Sequence, residues 1–222
     1  MNEPTPPLAT TDRSETVTAS FSNSRAMLRG SLGFALVSVA GFCVWAFWGR
    51  WLGTRFGEPG LYAACAIVFV ALAGPVLHPL VRGPRSLFRF YRAFVPAFVL
   101  YAIAWCGAWF AWRAGWGEWL GSLAGSAVFS VMTGLALGNL QSWARVSAVV
   151  FITHSAGYVL GSEAFDWLRS PAAADELNGL SKAQLARLAM LSWGLLYGLG
   201  FGAGIGYAFY FFQRGRAAGR TD

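Results

Sequence analysis

The sequence predicts an all-α integral membrane protein, a six-span transmembrane helical bundle with both termini on the cytoplasmic side (N-in/C-in). Three observations carry this expectation. The 222 residues are 56% hydrophobic and only 12% charged, with 17 Lys and Arg against 10 Asp and Glu. Soluble domains carry about 25% charged residues, so this chain lacks the polar surface to cover itself in water. Apolar stretches of bilayer-spanning length, roughly 20 residues, recur six times. Finally, the basic residues lie in the loops between these stretches and are unequally shared between the two sides. That distribution excludes a nucleic-acid-binding reading of the net charge of +7.

Residues 1–29 are rich in Thr, Ser and Pro and predict a disordered cytoplasmic tail, because they offer too little apolar surface to offset the entropy of ordering. The six-helix domain is expected over residues 30–213. Its spans are placed at 31–52, 60–81, 94–112, 118–140, 146–168 and 186–212, with a short basic tail at 214–222. The first span is longer than a signal-peptide apolar region and lacks a small-residue cleavage site. Gly83-Pro84, Gly115 and the segment Gln141 to Arg145 punctuate the connections. In the longest connection, Ser170-Pro171 reads as an N-cap with proline at the first helical position, opening a short surface helix that Gly179 ends. Ser181 and Gln184 have capping-box spacing, so the last helix begins near Lys182.

Lys and Arg set the orientation. Eleven of the 17 fall on the side shared by the two termini and six on the other, which predicts that both ends are cytoplasmic. The expected location is a bacterial cytoplasmic (inner) membrane. Expected partners are the bilayer itself, with anionic headgroups on the cytoplasmic side contacted by Arg85, Arg89 and Arg92, and a second copy or another membrane subunit.

Small residues recur at every fourth position, as Ser122, Ser126, Ser130, Gly134 and Gly138 on the fourth span and Gly194, Gly198, Gly202 and Gly206 on the sixth. Gly200 and Gly204 form a second stripe on the sixth span. Lipid supplies no hydrophobic force between helices, so close approach through small residues provides contact instead. These stripes are expected to pack the bundle. Tryptophan is skewed, with ten of 11 on the non-cytoplasmic half. Trp45, Trp48, Trp105, Trp109 and Trp112 predict either an interfacial belt or an aromatic-walled pocket opening outward.

His154 is the one ionisable residue near the middle of a span, and such residues are functional candidates by default. Counting outward from a turn centred at about residue 142 places it level with Ser130, so a buried Ser130/His154 pair is expected, either as a packing element or as nucleophile and base. His154, Gly157 and Gly161 resemble the H-x-x-G-x-x-x-G of rhomboid proteases, and Ala124-Gly125-Ser126-Ala127 is a distant relative of their G-x-S-G. The resemblance stops at those segments. Rhomboids insert a whole helix where this chain has a short turn, so the assignment is set aside. His78, between Pro75 and Pro79, is expected to relieve a proline kink. Cys43, Cys65 and Cys106 lie at similar depth, but the chain has no C-x-x-C or Cys/His cluster, and no cofactor or metal is expected.

The preferred functional expectation is a non-catalytic small-solute transport component or accessory membrane subunit. The alternative is a membrane-embedded enzyme or redox or cofactor-binding protein using Ser130 and His154.

Overall fold

The computed structural model describes residues 22–113 and 115–218. It is all-helical: α1 (Asn23–Cys43), a π turn (Val44–Trp48), α2 (Gly49–Leu77), a 3-10 turn (His78–Leu80), α3 (Ser86–Trp112), α4 (Trp116–Leu137), α5 (Trp143–Leu168), the short α6 (Pro171–Glu176) and α7 (Lys182–Ala218). Four helical stretches are long and apolar enough to cross a membrane: Asn23–Leu80, Ser86–Trp112, Trp116–Leu137 and Lys182–Arg214.

The first of these four, at 58 residues, would measure about 87 Å as one straight helix, far beyond a hydrocarbon core of about 30 Å. It breaks at Gly57, whose φ of 71° and ψ of −178° only glycine adopts readily, and Pro59 follows. The two legs then run antiparallel: Gly33 lies against Leu77, and Gly41 against Phe69. α5, at 26 residues, is long enough to span but is not among the four.

Helices consecutive in the chain pack antiparallel. Gly117, Gly121 and Gly125 of α4 meet Ala108, Trp105 and Tyr101 of α3, and Gly157 of α5 meets Leu196 and Gly200 of α7. α7 also pairs with α1, Gly206 lying against Ala26 and Gly202 against Gly30. The start of α1 and the late turns of α7 therefore share one end of the bundle. Gln213 ties that end together. Its Nε2 donates to the carbonyls of Leu80 (2.9 Å) and Phe209 (2.6 Å), while its Oε1 accepts from the backbone N–H of Arg82 (2.9 Å). The Leu80 carbonyl and the Arg82 N–H lie between helices, where lipid could not satisfy them.

The expected stripe on α7 is a contact surface. A Cβ on Gly198 would meet the Cα of Ala35 and the Cβ of Ser38 at 2.6 Å, and one on Gly194 would meet the Phe42 ring at 2.7 Å. Gly200 and Gly204 face α5 in the same way, with Thr153, Gly157 and Val150 opposite. On α4 the close approaches to α3 belong to Gly117, Gly121 and Gly125, while Gly134 of the expected stripe faces Phe212 of α7. Ser122, Ser126 and Ser130 are buried beside them. Gly138 is corrected from packing residue to helix terminator: it takes the left-handed conformation (φ 68°), and its N–H reaches back to Gly134 and Leu135.

The helix ends follow the expected signals in part. Ser170 Oγ accepts from Ala173 N–H, and Ser181 and Gln184 cap each other with Gln184 N–H on Ser181 Oγ and Ser181 N–H on Gln184 Oε1. Two tail boundaries are corrected. Residues 23–29, assigned above to the N-terminal tail, are the first turns of α1, capped by Ser22 Oγ. α7 continues to Ala218 through much of the segment assigned to the basic tail. The remainder of both expected tails, 1–21 and 219–222, lies outside the described residues.

Candidate functional site

The expected Ser130/His154 pair does not form. Both residues are fully buried, but Ser130 Oγ has no hydrogen-bond partner among the described residues, and His154 Nε2 bonds the Tyr101 hydroxyl at 2.6 Å. The reason is register. α4 ends at Leu137 and α5 starts at Trp143, so the turn is centred near residue 140 rather than 142. That shift moves the level of His154 by four residues along α4, about 6 Å, away from Ser130 and towards Ser126 and Gly125. Tyr101 packs its ring on Gly125, where a side chain would exclude it, and so reaches the imidazole.

Tyr101 also bonds Tyr197 of α7, oxygen to oxygen at 3.0 Å. The result is a three-residue chain from α7 through α3 to α5, Tyr197–Tyr101–His154, walled by the ring of Phe201, which meets Tyr101 at 4.7 Å and His154 at 5.2 Å between centroids. Nδ1 of His154 is buried and has no partner among the described residues.

Tyr101 and Tyr197 form part of the wall of a cavity of about 330 Å³ between α1, α2, α3, α5 and α7. Eleven of its 17 lining residues are aromatic, among them Trp45, Trp105, Trp109, Trp193, Tyr62 and Tyr158. Phe69, Phe98 and Tyr101 are the buried residues of the lining, and Glu58 lies beside the Gly57 break. Glu58 is the single charged side chain in the lining, and its Oε2 pairs with Arg113 Nη1 at 3.4 Å. Tyr158 donates to Glu118 Oε1 (3.1 Å). Trp105 and Trp109 stack at 5.8 Å with their planes 12° apart.

The five tryptophans of the expected belt or pocket therefore divide. Trp45, Trp105 and Trp109 line the cavity, whereas Trp48 and Trp112 are 57% and 60% exposed. In an α-helix Trp45 and Trp48 would share a face, but the π turn over Val44–Trp48 rotates each residue by less than the usual 100° or so and sends them to different sides. Trp193, its ring set at a steep angle to those of Trp45, Tyr158 and Phe165, joins the lining and was not singled out for the pocket from sequence.

Compared with protein-family models, with curated proteins and with solved structures, the chain matches none.

The remaining candidates lie elsewhere. Cys65 and Cys106 line the cavity as free thiols, while Cys43 does not. His78 bonds Ser86 through Nδ1 at 3.0 Å and does not relieve the Pro75 kink. Proline at 75 leaves the Ala71 carbonyl without its helical donor, and the Tyr91 hydroxyl fills that role at 2.8 Å, its ring lying where a Gly74 side chain would stand. Of the three arginines assigned to headgroups, Arg85 and Arg92 are exposed at the start of α3, and the half-buried Arg89 donates to the Arg82 carbonyl.

Proposed function

We propose that this is a six-crossing membrane protein of the inner membrane, with both termini cytoplasmic, that receives a small, largely apolar solute in the aromatic cavity as a non-catalytic transport component or accessory subunit. The reading counts the two legs on either side of Gly57 as separate crossings and adds α5, which packs along α7 over its length. Strict antiparallel alternation from α1 to α7 supports that count. The basic asymmetry of the loops supports the orientation.

The observation that carries the function is the cavity: about 330 Å³, walled by aromatic side chains from five helices, with one charged residue at its edge. Cavities of this size with a few convergent polar groups are where small molecules bind. The enzyme alternative loses its support with the Ser130/His154 hydrogen bond.

Filling the cavity tests the reading. Ala102 lies in the wall, and Ala102→Phe is expected to abolish binding of a planar apolar probe, 2,3-dimethylnaphthalene, to the purified protein in nanodiscs, with thermal stability kept within a few degrees. Equal binding by the variant, measured by calorimetry against empty nanodiscs, would refute the cavity as the receiving site.

A further inference from the structure

Resting on the cavity reading, the walls and the charges beside them identify the solute's chemistry. The indole Nε1 atoms of Trp105 and Trp109 are buried, so these two rings offer the cavity carbon surface rather than hydrogen-bond donors. The Tyr158 hydroxyl is engaged by Glu118, and the Tyr101 hydroxyl by Tyr197 and His154. What the lining has in excess is the flat faces of aromatic rings.

A ring has two faces, and a parallel neighbour covers one of them. Trp45 lies near-parallel to Phe165 (17° between planes), Tyr158 to His154 (10°) and Trp105 to Trp109 (12°), and none of the three has a second parallel partner among the described residues. Trp193 has none at all. Its neighbours Phe42, Trp45, Tyr158 and Phe165 are inclined to it by 48°, 59°, 64° and 53°. Along the wall, Trp45, Trp193, Tyr158 and Trp105 follow one another with 6.0, 5.5 and 5.8 Å between successive centroids and 59°, 64° and 56° between planes, as the sides of a prism turn about its axis. The face of an aromatic ring is the negative side of its quadrupole, so such walls favour a positive charge between them.

The charge beside the walls has the same sign. Glu58 lines the cavity, and Glu118 bonds Tyr158, itself a lining residue. Arg113 pairs with Glu58. Glu118 is half-buried, and among the described residues no cation lies within ion-pair distance of it. One carboxylate charge is left over at the wall, in partly desolvated surroundings where it acts more strongly than in water.

We infer that the cavity takes an organic cation of low hydration, a positive charge spread over an apolar body, held by the faces of Trp45, Trp193, Tyr158 and Trp105 and balanced by Glu118. An anion would meet both the faces and the carboxylate with the wrong sign. A compact, strongly hydrated cation would surrender its water to a lining that offers a single carboxylate.

The test uses the full chain in dodecyl maltoside micelles, which carry no charge, and two probes of one shape. 2,3-Dimethylisoquinolinium is the skeleton of 2,3-dimethylnaphthalene with a positively charged nitrogen in place of one ring carbon. By calorimetry against empty micelles, the cation is expected to bind at least about tenfold tighter, the worth of a desolvated cation–π contact. Glu118→Gln keeps an acceptor for Tyr158 and removes the charge. It should weaken the cation about fivefold and leave the hydrocarbon unchanged, which also reports that the variant is folded. Trp193→Leu keeps apolar bulk without the ring faces and should weaken the cation about fivefold more than the hydrocarbon. A cation bound no more tightly than the hydrocarbon, or a preference that Glu118→Gln leaves intact, overturns the charge assignment but leaves the cavity reading standing. Binding of neither probe removes both readings.

Discussion

The seam between α1 and α7 is closed at one end and open at the other. Near the shared chain ends the two backbones touch, with Gly202 against the Gly30 carbonyl and Gly206 against the Ala26 carbonyl. Further along the same helices, Gly194 meets Phe42, and then Trp45 and Trp193 stand 6.0 Å apart, ring to ring, beside the cavity. The two helices are the same throughout. What changes is side-chain volume, from hydrogen atoms to indoles. In lipid, where helices are held by contact rather than by exclusion from water, the size of the interfacial residues sets the separation. Small residues make the closed end dry, and large flat ones leave a space that they do not fill.

The largest test of this contrast places one methyl group in each setting. Gly202→Ala puts a Cβ onto the Gly30 carbonyl and the Cβ of Phe34, and α1 and α7 must separate to admit it. A loss of about 1–3 kcal/mol is expected in an unfolding titration in mixed micelles, as for other overpacked interiors. Gly107→Ala, on the same bundle but with open space around the new atom, should cost nothing and gain up to about 1 kcal/mol of helix propensity. Equal effects at the two sites would mean that the glycines do not set the spacing.

His154 stands near the boundary between the two halves. His154→Leu removes the Tyr101 bond and keeps the volume, so stability should fall by about 0.5–1.5 kcal/mol, within the range for hydrogen bonds between membrane helices. Unchanged thermal stability in detergent would show that the imidazole is not there for packing and would return it to the list of chemical groups.

How far the sequence reaches follows the same division. The closed half was largely legible, because four-residue spacing of glycine on α7 is a local pattern and names its face without knowledge of the partner. Local signals also gave the Ser170 and Ser181 caps. On α4 the residues Ser122, Ser126, Ser130 and Gly134 are buried as a stripe, but the glycines that approach α3 most closely, Gly117, Gly121 and Gly125, have the same spacing one residue earlier. Only contact with Tyr101 and Trp105 of α3 distinguishes the two. The open half was legible as a skew in tryptophan that left a belt and a pocket as alternatives, with Trp45, Trp105 and Trp109 of the five named residues in the lining. Which indoles turn inward depends on the π turn at Val44–Trp48, and the partner of His154 lies 53 residues away, on a helix whose register no local motif fixes.

A smaller effect concerns the kink in α2, which belongs to the closed half. Tyr91→Phe keeps the ring over Gly74 and frees the Ala71 carbonyl that Pro75 cannot serve. A cost of about 0.5–1 kcal/mol is expected in the same titration, the usual net worth of one hydrogen bond. No cost would mean that the kinked carbonyl finds water or lipid headgroup instead.

The smallest effect should lie at the edge of the cavity. Glu58 and Arg113 join the start of the second leg of α2 to the end of α3, at 3.4 Å and with side chains 43% and 57% exposed. Exposed pairs of this kind contribute about 0–1 kcal/mol and are weakened by salt. Arg113 is also held by the Phe110 ring, its guanidinium carbon lying 5.2 Å from the ring centroid, so losing the carboxylate does not release it altogether. Glu58→Gln should therefore lower stability by no more than about 0.5 kcal/mol at low salt and by nothing measurable at high salt. The same variant bears on the contrast between the halves. If the cavity is kept open by the volume of its aromatic walls, binding of 2,3-dimethylnaphthalene survives the loss of this ion pair. If binding disappears with Glu58→Gln while stability holds, a strap of charge rather than the indoles keeps α2 and α3 apart at that end, and the volume argument fails there.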